Sequence, residues 1–435
     1  MKKLMSSIGS MLLMSSLILS GCGGSTSETS QPNQQPAEQP KQEAPKQEQV
    51  VLSMHSWRVE DTDGYKKVIA AFEEENPGIK IEFKPFKATE YNTILNTALQ
   101  SDSGPDIMQL RPYQAGMSLA DAGYLEPVDG IAGIKEFAPD VMAAATAKDG
   151  KVYGVPLSLN STQVYYNKKI FEENGLTEPK TWDELITTAK TLKDKGVTPF
   201  AFGSKEGWLL SLTHGVIAPG TYNAKEFVDP LLKGEKDFKS AEFAKSIERL
   251  KELSAYFPDN YTGLDGNDIR TLFFTGKAAM YIHGSFELEV LQKMNPDLAL
   301  DFFPMPMENG EAVITTWVDG SYGVNAKSPH KAEAMKFMEF MTTKKFGEVF
   351  ANEFKRIPAL PGVTVDEPLV NKMAEWSQKS SSPYLMVVNF NQGDPTTKAT
   401  IENSLQGMFL DQLTPEQVVD AVQKSAETWF EPFKK

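Results

Sequence analysis

The chain has 435 residues, with 58 acidic against 44 basic, a formal net charge of −14, 40% hydrophobic residues and one cysteine. That acidic balance argues against binding nucleic acid or anionic lipid through net charge, and a lone cysteine excludes disulfides within the chain. The stretch 50–435 exceeds what one hydrophobic core usually organises, which predicts two lobes stabilised by their cores alone.

At the N-terminus, Lys2 and Lys3, an apolar run over 11–19 and small residues form the three regions of a secretory signal. The run is too short to span a bilayer. Leu19-Ser20-Gly21-Cys22 resembles the lipobox of bacterial lipoproteins. That resemblance implies a signal peptide over 1–21 and Cys22 as the lipid-modified first residue. A buried free cysteine is the rival reading, but the polar tail that follows offers it no core. Lipid chains anchor by burying methylenes at about 0.8 kcal/mol each, so the protein is expected on a membrane surface without crossing it. Residues 22–49 are Ser, Thr, Gln, Pro, Glu and Lys with almost nothing apolar, which predicts a disordered tether. A protease-sensitive linker would have the same composition.

VVLSMHSW (50–57) reads as a buried strand, and Tyr65, Val68, Ile69 and Phe72 recur at helical spacing until Asn76-Pro77-Gly78. Ile79, Ile81 and Phe83 alternate as a second strand. A second helix carries Tyr91, Ile94, Leu95, Ala98 and Leu99, and a third strand covers 106–110. This β-α-β-α-β order predicts a parallel sheet flanked by helices, with ligands at the strands' carboxyl ends. Trp57, Arg58, Gln109 and Arg111 fall at those ends. Further on, 152–158 and 162–167 read as extended, followed by a helix with Phe171. Another helix is capped by Thr181 with Glu184 in reply, and Trp182 in its first turn reads as packing. Residues 272–282 read as helix then strand, Ser328-Pro329 starts a helix bearing Phe337 and Met341, and Thr414-Pro415 starts the last.

PDIMQL (105–110), YYNKKIFEENGL (165–176), PKTWDEL (179–185), LFFTGKAAMYIHGSFE (272–287) and NAKSPHKAEAMKFMEFM (325–341) occur in this order. Together they resemble the extracellular solute-binding proteins of carbohydrate-importing ABC transporters, from about residue 50 to the C-terminus. The resemblance implies an α/β, two-lobed periplasmic-binding-protein-like fold of type II. Each lobe is then a mainly parallel sheet flanked by helices, with a sugar cleft between the lobes. Lobe 1 is expected at about 50–159 and 284–327, lobe 2 at about 160–283 and 328–435. It further implies ABC permease subunits as partners, a monomer, and a position on the extracytoplasmic face of the cell membrane. No cofactor is expected.

A sugar asks for aromatic rings against its C–H faces and for amides, carboxylates or guanidinium groups around its hydroxyls. The candidates are Trp57 with Arg58, Gln109 with Arg111, Asn160 beside Ser161, Glu206 with Trp208, Ser285 beside Phe286, Trp317 with Asp319, and Tyr384. Trp57 also fits a core plug. Trp208 follows a Gly-Ser-Lys-Glu-Gly stretch that reads as an exposed loop. The family commonly has tryptophan where Phe286 stands, which weakens stacking there. Arg58 and Arg111 read either as surface ion pairs or as forks bridging hydroxyls; were both to face the cleft, an acidic sugar would fit.

A glycosidase needs only two well-placed carboxylates, yet His55, His214, His283 and His330 are scattered and neither His-Glu-x-x-His nor Gly-x-Ser-x-Gly occurs. Asp265-Gly266-Asn267-Asp268 hints at a calcium loop but lacks its ligand spacing and reads as a polar turn before a helix. The sequence therefore points to a binding protein, with no catalytic or metal-ligating residue assigned. A disaccharide or oligosaccharide is expected, captured by hinge closure. A polyamine or other small solute on the same scaffold is the alternative, and a surface glycoside hydrolase a more distant one.

Overall fold

In a computed structural model, residues 49–307 and 309–434 are described. The signal peptide, Cys22 and nearly all of the tether expected from the sequence lie outside these residues.

The strand Val50–Ser56 turns Leu52, Met54 and Ser56 to a buried face and pairs in parallel with Ile79–Pro85 and Ile107–Leu110. The helix Thr62–Glu75 covers it with the stripe Tyr65, Val68 and Phe72. The expected β-α-β-α-β unit is thus present. Ser321–Asn325 then joins antiparallel beside Ile107–Leu110 and carries Leu125–Glu126 and Val155–Pro156. The first sheet is therefore mixed.

The second sheet is built on Ser158–Asn167, buried at every position except Leu159. Ala278–Gly284, Leu300–Phe303, Ala312–Val318 and Ile357–Pro358 all pair antiparallel to it, whereas Thr198–Phe200 is parallel to Ala278–Gly284. This corrects the expectation of mainly parallel sheets. Ser158–Asn167 leaves the first sheet directly, and Ala312–Val318 runs back towards it, so the two meet head to tail without the crossover helix that parallel pairing needs.

The expected lobe boundaries also shift. Leu300–Phe303 and Ala312–Val318 lie in the second sheet. The helices Lys331–Met341 and Lys344–Phe354 instead cover the first, where Phe337 meets Phe72 at 5.2 Å and Phe354 meets Tyr65 at 5.1 Å. The aromatic face of Thr62–Glu75 needs such a cover, and these helices supply it. The chain thus crosses between sheets three times: after Val155–Pro156, after Ala312–Val318, and between Phe354 and Ile357.

Around the second sheet, the helix Gly207–Tyr222 is buried almost all round and packs with Ala241–Leu253 and Thr397–Phe409, and Pro415–Glu427 packs on those two in turn. Among the described residues no helix is long and apolar enough to cross a membrane.

His214 sits inside this helical layer, with Nε2 2.8 Å from Ser246 Oγ, and burial drives its pKa down to about 3. An unfolded histidine titrates near 6.5. Below that pH the unfolded chain takes up a proton that the folded protein refuses, so stability falls as pH drops from about 6.5 towards 3. His214→Gln should remove roughly 2 kcal/mol of the stability lost between pH 7 and pH 5. Urea unfolding at both pH values checks this, and an equal loss in both proteins would refute it.

Candidate functional site

Parallel pairing brings the carboxyl ends of Val50–Ser56 and Ile107–Leu110 together. Gln109 Oε1 accepts from Ser56 Oγ at 2.7 Å and from the Trp57 N–H at 3.3 Å. Trp57 is only 5% exposed, with Tyr91 edge-on at 5.6 Å and the Arg111 guanidinium 4.1 Å above its ring. Arg111 donates to Asn92 Oδ1 at 3.2 Å and to the Ala88 carbonyl at 2.8 Å. Its acceptors are neutral. Burial, and then the charge of Arg58, lower its pKa to about 10, so it remains a cation at neutral pH.

Asp319, 4% exposed, lies in the link between Ala312–Val318 and Ser321–Asn325. Its Oδ1 accepts from Arg58 Nη2 and, at 2.7 Å, from Asn160 Nδ2. Its Oδ2 faces Arg356 Nη1 at 3.6 Å, and Arg356 Nη2 donates to Asp61 Oδ1 at 2.8 Å. Burial works against the Asp319 carboxylate, but Arg58 and Arg356 outweigh it and hold its pKa below the usual carboxylate range. Arg58 also lies 5.1 Å over the Phe286 ring. Arg58, Asn160 and Asp319 are thus brought together and bind one another.

On the second sheet, Trp317 stands in register opposite Asn160 and meets Tyr384 edge-to-face at 5.2 Å. Tyr384 is 4% exposed and donates to Ser211 Oγ at 2.8 Å. Ser285 is buried, its Oγ accepting from the Ser161 N–H at 3.1 Å. Trp208 departs from the loop expected for it. It occupies the first turn of Gly207–Tyr222, because the apolar run after Gly207 is buried as helix, and it meets His283 at 5.7 Å. Glu206 precedes that helix and accepts from the Gly266 N–H at 3.0 Å. His283 meets Phe286 at 5.1 Å, and Phe286 leads back to Arg58. Trp208, Phe286 and Trp317 remain half-buried.

The calcium-like turn is spent on a helix start: Asp265 Oδ1 accepts from the Asn267 and Asp268 N–H groups, and Asp268 answers the Asp265 N–H. What the junction offers is aromatic faces beside guanidinium and amide groups. Gln109 Nε2 and Asn160 Oδ1 are buried there without a protein partner, one a donor and the other an acceptor.

The profile of the family described as bacterial extracellular solute-binding protein matches residues 58–348. The chain belongs to this family. The multiple sugar-binding protein of Streptococcus mutans is 29% identical over 334 residues, covering 74% of this chain and 78% of its own. The galactooligosaccharide-binding protein of Bacillus subtilis is 23% identical over 390 residues, 85% of this chain and 87% of its own. A solved chitin oligosaccharide binding protein superposes with a TM-score of 0.76 at 25% identity, over 88% of this chain and 100% of its own. The two sheets with their helices are the two lobes of this solute-binding fold, type II.

Sequence reasoning missed Asp61, Arg356 and His283 in this solute-binding protein's junction. Asp61 sits where a helix cap is expected, yet its side chain makes no cap bond and turns to Arg356. Arg356 follows Glu353 and Lys355 and precedes Ile357-Pro358, so its sequence setting reads as an ordinary charged helix end and gave no signal of burial.

Proposed function

We propose that this protein captures a sugar, a disaccharide or oligosaccharide, at the junction of its lobes and delivers it to the permease of an ABC importer. One observation carries the reading. The half-buried Phe286 ring lies 5.1 Å from the Arg58 guanidinium, half-buried Trp317 stands in register with Asn160, and half-buried Trp208 joins Phe286 through His283, which sets aromatic faces beside polar groups as a pyranose needs. Tyr384 backs Trp317, Trp57 is packed beneath Arg111, and Glu206, Ser285 and Asp319 hold their elements in position. The names of the relatives in Streptococcus mutans and Bacillus subtilis support the same ligand class.

Sugar contacts made with both lobes favour the closed arrangement, and only that differential contact drives closure. The protein acts as a monomeric binder. A glycosidase needs a protonated carboxyl and a carboxylate both open to substrate, whereas Asp61 and Asp319 are buried against arginines and Glu287 is gripped by Arg270 at 2.6 and 2.8 Å. A polyamine would want several free carboxylates around aromatics, whereas Asp319 and Glu287 are paired with arginines and Glu206 stands alone beside Trp208.

The test is a thermal-shift and tryptophan-fluorescence panel of maltose, maltotriose, raffinose, cellobiose, xylobiose, chitobiose and spermidine. At least one glycan should raise the melting temperature in a concentration-dependent way and change the emission. A response to spermidine alone would reverse the assignment.

Lipid attached to Cys22 would hold the binder near its permease and raise its effective concentration there. Cys22→Ser should move the protein from the membrane fraction to the medium, measured by fractionation and blotting. Unchanged membrane retention would defeat the anchor.

A further inference from the structure

All three chain crossings between the lobes meet at one buried ionic cluster. The first two are tied by backbone: the Asp319 N–H donates to the Ser158 carbonyl at 2.9 Å, and the Leu157 N–H to the Gly320 carbonyl at 3.0 Å. The third crossing brings Arg356, 2% exposed, against Asp319, and Ile357 then pairs with Leu159. Lobe 1 contributes Arg58 and Asp61 to the cluster, and lobe 2 contributes Asn160. The Val318 N–H, one residue before Asp319, donates to Tyr113 Oη at 3.3 Å. Tyr113 holds φ at +59°, a costly backbone state for a non-glycine residue that persists only where its surroundings enforce it.

We infer that Asp319 and Arg356 form a clasp on the hinge, a positioning pair that sets the balance of lobe arrangements before any ligand binds. Backbone crossings alone bend easily, since a hinge needs only a few φ/ψ changes. Asp319 is held by hydrogen bonds from Arg58 and Asn160 on one oxygen and by the charge of Arg356, 3.6 Å from the other. Arg356 uses its second nitrogen on Asp61, and such a charged set tolerates little displacement. Asp319 Oδ1 is shared by a donor from each lobe, so rotating one lobe against the other must lengthen one of those bonds. The cost of leaving such charges unpaired in the interior is large. The clasp therefore favours the arrangement in which all its pairs are made, and a ligand acts on a population already biased.

This inference rests on the hinge-closure reading, though not on the ligand being a sugar. Spin labels at Lys87→Cys in lobe 1 and Lys169→Cys in lobe 2, both on exposed side chains, report the interlobe distance in full-length Cys22→Ser protein by pulsed electron resonance. Without ligand, the parent should give one narrow distance distribution. Asp319→Asn should raise the share of a second distance about tenfold, equivalent to about 1.4 kcal/mol. Arg356→Lys, which keeps the charge and loses the fork, should give a smaller shift in the same direction. It also carries the test should Asp319→Asn fail to fold. A clasp that merely stabilised the fold would lower the melting temperature and leave the distances alone, so superimposable distributions in folded variants would overturn the inference. The parent titrated with maltotriose and raffinose tests the closure reading separately, because a glycan that binds without moving the distance rejects closure whatever the variants do.

Discussion

Arg356→Met should lower the unfolding free energy by about 3–5 kcal/mol, the range for breaking a buried ion pair from one side. The side chain is 2% exposed and touches two carboxylates, Asp61 at 2.8 Å and Asp319 at 3.6 Å. Methionine fills much of the volume, so lost packing is a minor part; the cost is an uncompensated Asp61. Burial already raises the Asp61 pKa, with Arg356 first among the charges opposing it, and removing that charge raises it further. A carboxyl whose folded pKa lies above its unfolded value binds more protons folded than unfolded, so its contribution to stability falls as pH rises through that window. The deficit of Arg356→Met should therefore be larger at pH 7 than at pH 5, the reverse of the His214 trend. Urea unfolding at the two pH values measures both statements. Adding Asp61→Leu should recover most of the loss, since replacing both partners leaves no orphaned charge. A deficit below about 1 kcal/mol, with no change on adding Asp61→Leu, would mean that the pair is not what holds this junction.

Trp317→Ala should weaken binding of the responding glycan by about 10- to 100-fold, or about 1.4–2.7 kcal/mol, with far less effect on folding. Trp317 is half-buried, unlike Trp57, whose removal would empty a packed site beneath Arg111 and confound binding with stability. Its indole stands opposite Asn160 and against Tyr384, so it combines an accessible face with a fixed orientation, the combination that makes an aromatic useful to a ligand. Calorimetric titration of parent and variant at matched concentrations checks the ratio. An unchanged Kd would remove Trp317 from the site and leave Trp208 and Phe286 as the accessible walls.

The local periodicity of the chain was readable wherever one face of an element is buried. Tyr65, Val68 and Phe72 mark their helix, and Thr414 with Gln417 forms the capping box that its Thr-Pro start suggests. Non-local pairing was not readable. Nothing in AVITTWV distinguishes a strand of the first sheet from one of the second, because both are buried and the choice depends on which strand Val318 meets across the crossing. The helices Lys331–Met341 and Lys344–Phe354 were assigned to the wrong lobe for the same reason, their apolar stripes being equally suited to either sheet. At the site, strand ends gave Trp57, Arg58, Gln109 and Arg111, since parallel strands line up their carboxyl ends. The ionic partners of Arg58 were only half visible. Asp319 was in view as a turn carboxylate, but Asp61 and Arg356 are 295 residues apart in sequence, and no local pattern announces such a pair.

The most direct test of sugar capture is calorimetric titration of the purified protein with the glycan giving the largest thermal shift, followed by chromatography of that glycan after prolonged incubation. Saturable binding of one glycan per chain, with the glycan recovered intact, is the predicted result. Absence of heat with every glycan, heat with spermidine instead, or recovery of shorter sugars would contradict the account.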